Sequence, residues 1–202
     1  MIVIEASDSI EIIAELFGLY NFSVDYAEED IIDYNPETKN IRMTYNVEFV
    51  DETIGLAHEI MHHKQNIEKR NLKGEDIQDY NIAAATSDFD ERYLWMVRKF
   101  PTEIESHAFA ALYATILYKF LYKNGRITRR AYDVYARYIK RTNKLSSYYQ
   151  KDKARILEIY SQIDQEYARL EAEYGSRILQ LIEHRVSLPK DERKQAIKVV
   201  YN

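Results

Sequence analysis

Residues 58–62 read His58-Glu59-Ile60-Met61-His62, two imidazoles four positions apart with a carboxylate beside the first. On a helix such a pair projects from one face about a turn apart, so both rings can hold one metal ion. Glu59 adds what a merely structural site has no use for. It is a base within reach of a water activated by that metal, able to take its proton and pass it to a leaving group. A catalytic zinc takes three protein ligands and keeps a fourth position for water, so a third ligand must come from elsewhere in the chain. The 202 residues contain no Cys and five His, namely His58, His62, His63, His107 and His184. His63 is rotated by about 100° from His62. It shares a stripe with Leu56, Ile60 and Ile67, and is expected to pack beside the core.

Downstream, Pro101-Thr102-Glu103-Ile104-Glu105-Ser106-His107-Ala108-Phe109-Ala110 reads as a helix start with two carboxylates in its first turns. The run Glu103-x-Glu105-Ser106-x-x-Phe109-Ala110, taken with His58-Glu59-x-x-His62, resembles the ImmA/IrrE-type metallopeptidases, which are gluzincin-like HExxH zincins. The resemblance implies a zinc held by His58, His62 and Glu105, with Glu59 as general base in the hydrolysis of a protein or peptide substrate. Ser106 stands where the family pattern has alanine, and the 42 residues between His62 and Glu105 imply an inserted segment around 71–100.

Read from the helix alone, the carboxylate stays open. Glu103 and Glu105 point to nearly opposite sides, so only one can face the metal, and Glu103 is the alternative third ligand. Glu103 also lies one turn before His107. That spacing makes a surface pair in one reading. In another it lets His107 donate to a ligand carboxylate or to a developing oxyanion, a role for which Tyr45 and Tyr93 are also candidates.

These residues need elements to position them. Asp51 as an N-cap, Glu52 in the first turn and an apolar-periodic run predict a helix from about Glu52 to Arg70, with Asn71 and Gly74 as stop signals. Before it, Ile2-Val3-Ile4 predicts a short strand. Ser7-Asp8 predicts the start of a helix carrying Ile10, Ile13, Ala14, Phe17 and Leu19 up to Gly18–Asn21. Ile31–Tyr34 and Ile41–Tyr45 predict two strands around the turn-rich Asn35–Asn40. In the second, Ile41, Met43, Tyr45 and Val47 alternate with Arg42, Thr44 and Asn46. Standing just before the metal helix, this strand is expected either to be the edge that pairs with extended substrate or to be an ordinary protected edge.

Between Gly74 and Pro101, Phe89, Tyr93, Trp95, Met96 and Phe100 fall mostly at helical spacings and predict core packing, with a cleft wall as the alternative. From Ile104 to Tyr122 the chain is apolar nearly all round. This predicts a buried helix, because Lys119 leaves no uninterrupted apolar run of the roughly 20 residues that a bilayer requires. Lys123-Asn124-Gly125 then supplies a stop.

Beyond it Ile156, Tyr160, Ile163, Tyr167, Leu170 and Tyr174 follow a heptad seam, interrupted near Gly175 and resumed at Ile178, Leu181 and Ile182. Its partner is expected to be Thr128–Asn143 folded back as a hairpin, or a second copy in a homodimer. Ser187-Leu188-Pro189 predicts a short terminal helix. Arg126, Arg129, Arg130, Arg137, Lys140, Arg141 and Lys144 interleave with tyrosines, but the formal net charge of −5 favours a solvated basic face over a nucleic-acid site.

The resulting expectation is an α+β, mostly helical chain, with a minimal zincin-like domain over 1–124 (small N-terminal sheet plus active-site helices) and a helical region over 125–202. The absence of Cys, of a signal peptide and of an apolar span predicts a cytoplasmic protein without a membrane partner. The function expected is that of a zinc peptidase. Its alternative is a non-catalytic zincin-fold protein that binds or regulates partners through its C-terminal helices.

Overall fold

Helix α1 (Ala6–Phe17) buries Ile10, Ile12, Ile13 and Ala14 and stops at Gly18, whose φ of +66° is the left-handed conformation that closes a helix without steric penalty. Asp8, expected as a cap, instead lies inside the first turn and accepts a hydrogen bond from the Glu5 backbone N–H at 2.9 Å. The computed structural model describes residues 4–27, 33–44, 49–70, 101–130, 132 and 153–189. Outside the described residues lie Ile2 and Val3, Ile31 and Ile32, Tyr45 and Val47, the segment 71–100 with Tyr93 and Trp95, most of the hairpin and basic stretch beyond Tyr132, and the expected terminal helix from 190 onward.

Three short strands follow: β1 (Ser23–Ala27), β2 (Asp33–Asn35) and β3 (Asn40–Thr44). Asn35 accepts hydrogen bonds from the backbone N–H groups of Glu37 and Thr38, which makes the turn between β2 and β3. The strand order is β1-β3-β2, with β1 parallel and β2 antiparallel to β3. Alternation places Ile41 and Met43 inside and Arg42 outside, as the sequence predicts.

β3 was expected to be an edge strand, and the structure differs. It is hydrogen-bonded to β1 over residues 40–44 and to β2 over residues 40–42, so it is a central strand and not the edge expected. The strand that occupies one of its sides, β1, went unforeseen because Ser23 and Asp25 dilute the apolar signal of Val24 and Tyr26.

Helix α2 (Phe49–Ile67) is fastened to this sheet at both ends. The Tyr26 hydroxyl donates to Glu52 at 2.7 Å near its start. Near its end, Asn66 donates to the Tyr34 hydroxyl at 2.8 Å and to the Pro36 carbonyl at 3.0 Å. Termination comes earlier than Gly74: Lys69 takes the left-handed conformation, and the Arg70 N–H bonds back to the Gln65 carbonyl at 2.8 Å. Leu56, Ala57, Ile60 and Met61 form the buried stripe.

Helix α3 (Pro101–Lys123) is the buried central rod, in contact with α2 on one side and, on another, with α4 (Lys153–Ser187). Phe109, Leu112, Tyr113, Leu117 and Tyr118 are enclosed, and the helix ends at Asn124-Gly125, where the sequence places its stop. No helix among the described residues is long and apolar enough to cross a membrane. The fold is α+β and mostly helical.

Among the described side chains, the seam of α4 packs within the chain at Leu170, which is buried, and at Ile163, Tyr167 and Tyr174, which are partly buried. Leu170, Ile178, Leu181 and Ile182 are buried in the same core as α1, α2 and α3, so a core runs across the boundary expected at residue 124. The helix continues unbroken through Gly175, where an added Cβ would meet the Glu171 side chain at 3.4 Å and Ile116 at 4.0 Å. One charged contact joins its far end to the start of the chain. Arg185 is buried between Asp8, at 2.9 Å, and Glu11. Burial holds the Glu11 carboxyl above its ordinary pKa even though the Arg185 charge opposes the shift.

Replacing Arg185 with Leu strands two carboxylates, and the expected loss is about 3–5 kcal/mol in urea unfolding. A folded-state carboxyl pKa above the unfolded value means that ionisation weakens the fold as pH rises. Part of the loss should therefore be recovered as pH falls through the carboxyl range.

Candidate metal centre

The apolar stripe of α2 turns His58 and His62 toward the first turns of α3, and the two helices deliver their functional groups by the same device. His58 and His62 are four residues apart on one helix, and Glu103 and His107 are four apart on the other. His58 Nε2 and His62 Nε2 are 3.0 Å apart. Glu103 spans both, with Oε2 at 3.4 Å from His58 Nε2 and Oε1 at 3.2 Å from His62 Nε2. The His107 ring lies 4.5 Å from that of His58, centroid to centroid. His58, Glu103 and His107 form a group whose ligand atoms all lie within 4.8 Å of one another and could hold a metal ion.

Electrostatics define what this cluster needs. Two imidazole lone pairs cannot face each other at 3.0 Å unless a proton or a cation lies between them. Burial alone would lower the His62 pKa, yet the Glu103 charge and hydrogen bond carry it up to about 9. Burial would likewise raise Glu103, but His62 and His58 hold its carboxyl well below the ordinary range. The cluster is thus a buried anion set against a His62 ring that it holds protonated, with His58 close beside it. A tetrahedral zinc with ligand bonds of about 2.0–2.2 Å separates its N and O ligands by roughly 3.3–3.5 Å. The carboxylate separations of 3.2 and 3.4 Å, one to each Glu103 oxygen, lie close to that range, whereas the two imidazole nitrogens at 3.0 Å are a few tenths of an ångström closer than zinc ligands would stand.

Glu59 completes the group. Its Oε1 lies 4.0 Å from His58 Nε2, and burial pushes its carboxyl above the ordinary range, opposed by His58 and His62 and reinforced by Glu103. His107 is driven the other way. Burial and the neighbouring His58 lower it to about 3, so it stays a neutral ring.

Glu105, the ligand implied by the family resemblance, is directed elsewhere. Two residues from Glu103 and so on the opposite side of α3, it pairs with Arg70 at 2.7 Å and Arg169 at 3.2 Å and accepts from Gln65 at 3.0 Å. The carboxylate that the structure brings to the histidine pair is Glu103. His63 is enclosed between Phe22, at 5.0 Å between ring centroids, and Tyr34, whose hydroxyl is 2.9 Å from its Nδ1. Burial and then Lys39 lower its pKa to about 4, so it is a neutral packing residue, and His184 is exposed on α4. Gln65 escaped the sequence reading. Its signal was its position three residues after His62, which puts both on one face of the helix.

No family model, curated protein or solved structure matches this chain. The likeness to the ImmA/IrrE-type metallopeptidases therefore rests on the two short motifs alone.

Proposed function

We propose that this protein is a zinc-dependent peptidase in which His58, His62 and Glu103 hold the metal and Glu59 is the general base. The observation that carries the reading is the closure of Glu103 over the Nε2 atoms of both histidines, with Glu59 buried beside them. Zinc bound there would supply Lewis acidity, polarising the scissile carbonyl and making water a stronger acid. Glu59 would accept the proton of the attacking water and return it to the leaving amine, and a carboxyl pKa raised by burial suits both transfers. His107, neutral and facing the same space, would donate to the oxyanion. The choice of peptides as substrate draws on the motif resemblance.

One observation favours a second reading. His58, Glu103 and His107 are close enough to share an ion, and a metal that also took His107 would have its four positions filled by protein. Such a closed site would hold the fold of a non-catalytic binding protein.

Zinc content by elemental analysis, combined with digestion of a diverse peptide library, tests the proposal. His107→Ala is expected to keep its zinc and lose about 10²–10³-fold in turnover. Loss of zinc in that variant would support the closed site instead, and wild-type protein that binds zinc but cleaves no peptide would remove the peptidase reading.

A further inference from the structure

Gln65 is fully buried at the end of α2 and makes contacts whose polarity leaves no freedom. Its Nε2 donates to the Thr102 carbonyl at 2.9 Å and to Glu105 Oε2 at 3.0 Å. Both partners only accept, since Glu105 carries its negative charge. It is ion-paired with Arg70 at 2.7 Å and with Arg169 at 3.2 Å. Flipping the amide would set its oxygen against two acceptors. The Gln65 Oε1 must therefore face the other way, where it lies 2.9 Å from His62 Nδ1. An amide oxygen accepts, so His62 Nδ1 carries the hydrogen and its Nε2 is turned to Glu103 and His58. Ser106 Oγ, 3.3 Å from both His62 Nδ1 and Gln65 Nε2, joins the same chain of contacts.

We infer that Gln65, oriented by Glu105, is a positioning residue for the metal centre: it fixes the proton of His62 on Nδ1 and aims Nε2 at the ion. The inference rests on the metal-binding reading above and gives the second carboxylate of Glu103-x-Glu105 a function without making it a ligand. The ion pairs of Glu105 with Arg70 and Arg169 extend the chain to the surface, because they hold in place the acceptor that orients the amide.

Gln65→Met, close to the same volume but without the amide, is the test. Zinc affinity by competition with a chromogenic chelator is expected to fall about 10–100-fold, while saturation is still reached at wild-type stoichiometry. The cobalt-substituted protein should show a changed d–d absorption spectrum. In protein labelled with ¹⁵N-histidine, the hydrogen-bonded His62 Nδ1–H signal of the wild type should move in the variant, with or without metal. Glu105→Leu should lose affinity as Gln65→Met does, and the double variant should lose no more than either one, because the two act in series. Glu105→Gln, which keeps an acceptor oxygen, should restore most of the affinity lost in Glu105→Leu.

Wild-type affinity and an unmoved His62 signal in Gln65→Met would overturn the inference. Wild-type protein that binds no zinc at all would instead overturn the metal centre itself. The metal-free His62 signal would in that case still report whether Gln65 holds the ring.

Discussion

Glu59→Gln is expected to retain about one zinc per chain while peptide hydrolysis falls by about 10²–10⁴-fold, the range that a positioned general base contributes. The amide matches the carboxylate in shape and leaves His58, His62 and Glu103 in place, so the donors at 3.0, 3.2 and 3.4 Å are undisturbed. What disappears is the group that can take a proton. The effect on stability should run the other way. Glu59 is buried and its carboxyl pKa is raised, so its ionised form is the unfavourable one and weakens the fold at neutral pH. A neutral amide escapes that penalty. Thermal unfolding of the metal-free variant should therefore occur at or above the wild-type temperature, while activity is lost. Unchanged turnover would remove Glu59 from the mechanism.

The legible parts of the fold were those in which local pattern and tertiary environment agree. The stripe Ile10, Ile13 and Ala14 with Gly18 behind it defines α1, and the alternation of Ile41, Arg42 and Met43 defines β3. Helix α3 was recognisable as buried from its apolar faces and its Asn124-Gly125 stop. β3 as a central strand was not legible, because pairing on both sides is a property of its neighbours, and β1 carries polar Ser23 and Asp25. The packing of the described part of α4 against α1 and α3 was likewise hidden, since a heptad spacing says that a helix needs a partner and does not say which.

The site was half legible for the same reason. His58, Glu59 and His62 follow from spacing within one helix. Glu103 and Glu105 lie on opposite sides of α3, and choosing between them requires knowing which side faces α2. One sequence signal did favour Glu103: it shares a face with His107, four residues on, as His58 does with His62. The arginines that draw Glu105 away, Arg70 and Arg169, are 99 positions apart in sequence and meet only in the fold.

Glu103→Ala is expected to lower zinc affinity by more than the roughly 10–100-fold that follows loss of an orienting partner, and Glu105→Ala to stay within that range. Glu103 contacts both Nε2 atoms, whereas Glu105 reaches the centre only through Gln65 and His62. Removing Glu103 deletes the carboxylate that acts most strongly on His62, ahead of Glu59, so a cation held there loses both a donor and its nearest charge partner. Removing Glu105 instead leaves Arg70 and Arg169 without their shared carboxylate and frees the Gln65 amide, which loosens His62 but keeps every ligand. Calorimetric titration of the two variants with zinc separates these cases. The larger loss in Glu105→Ala would return the third ligand to the position that the motif resemblance implies, and would require α3 to turn by about half a revolution, roughly 200° for two residues of helix, when metal binds.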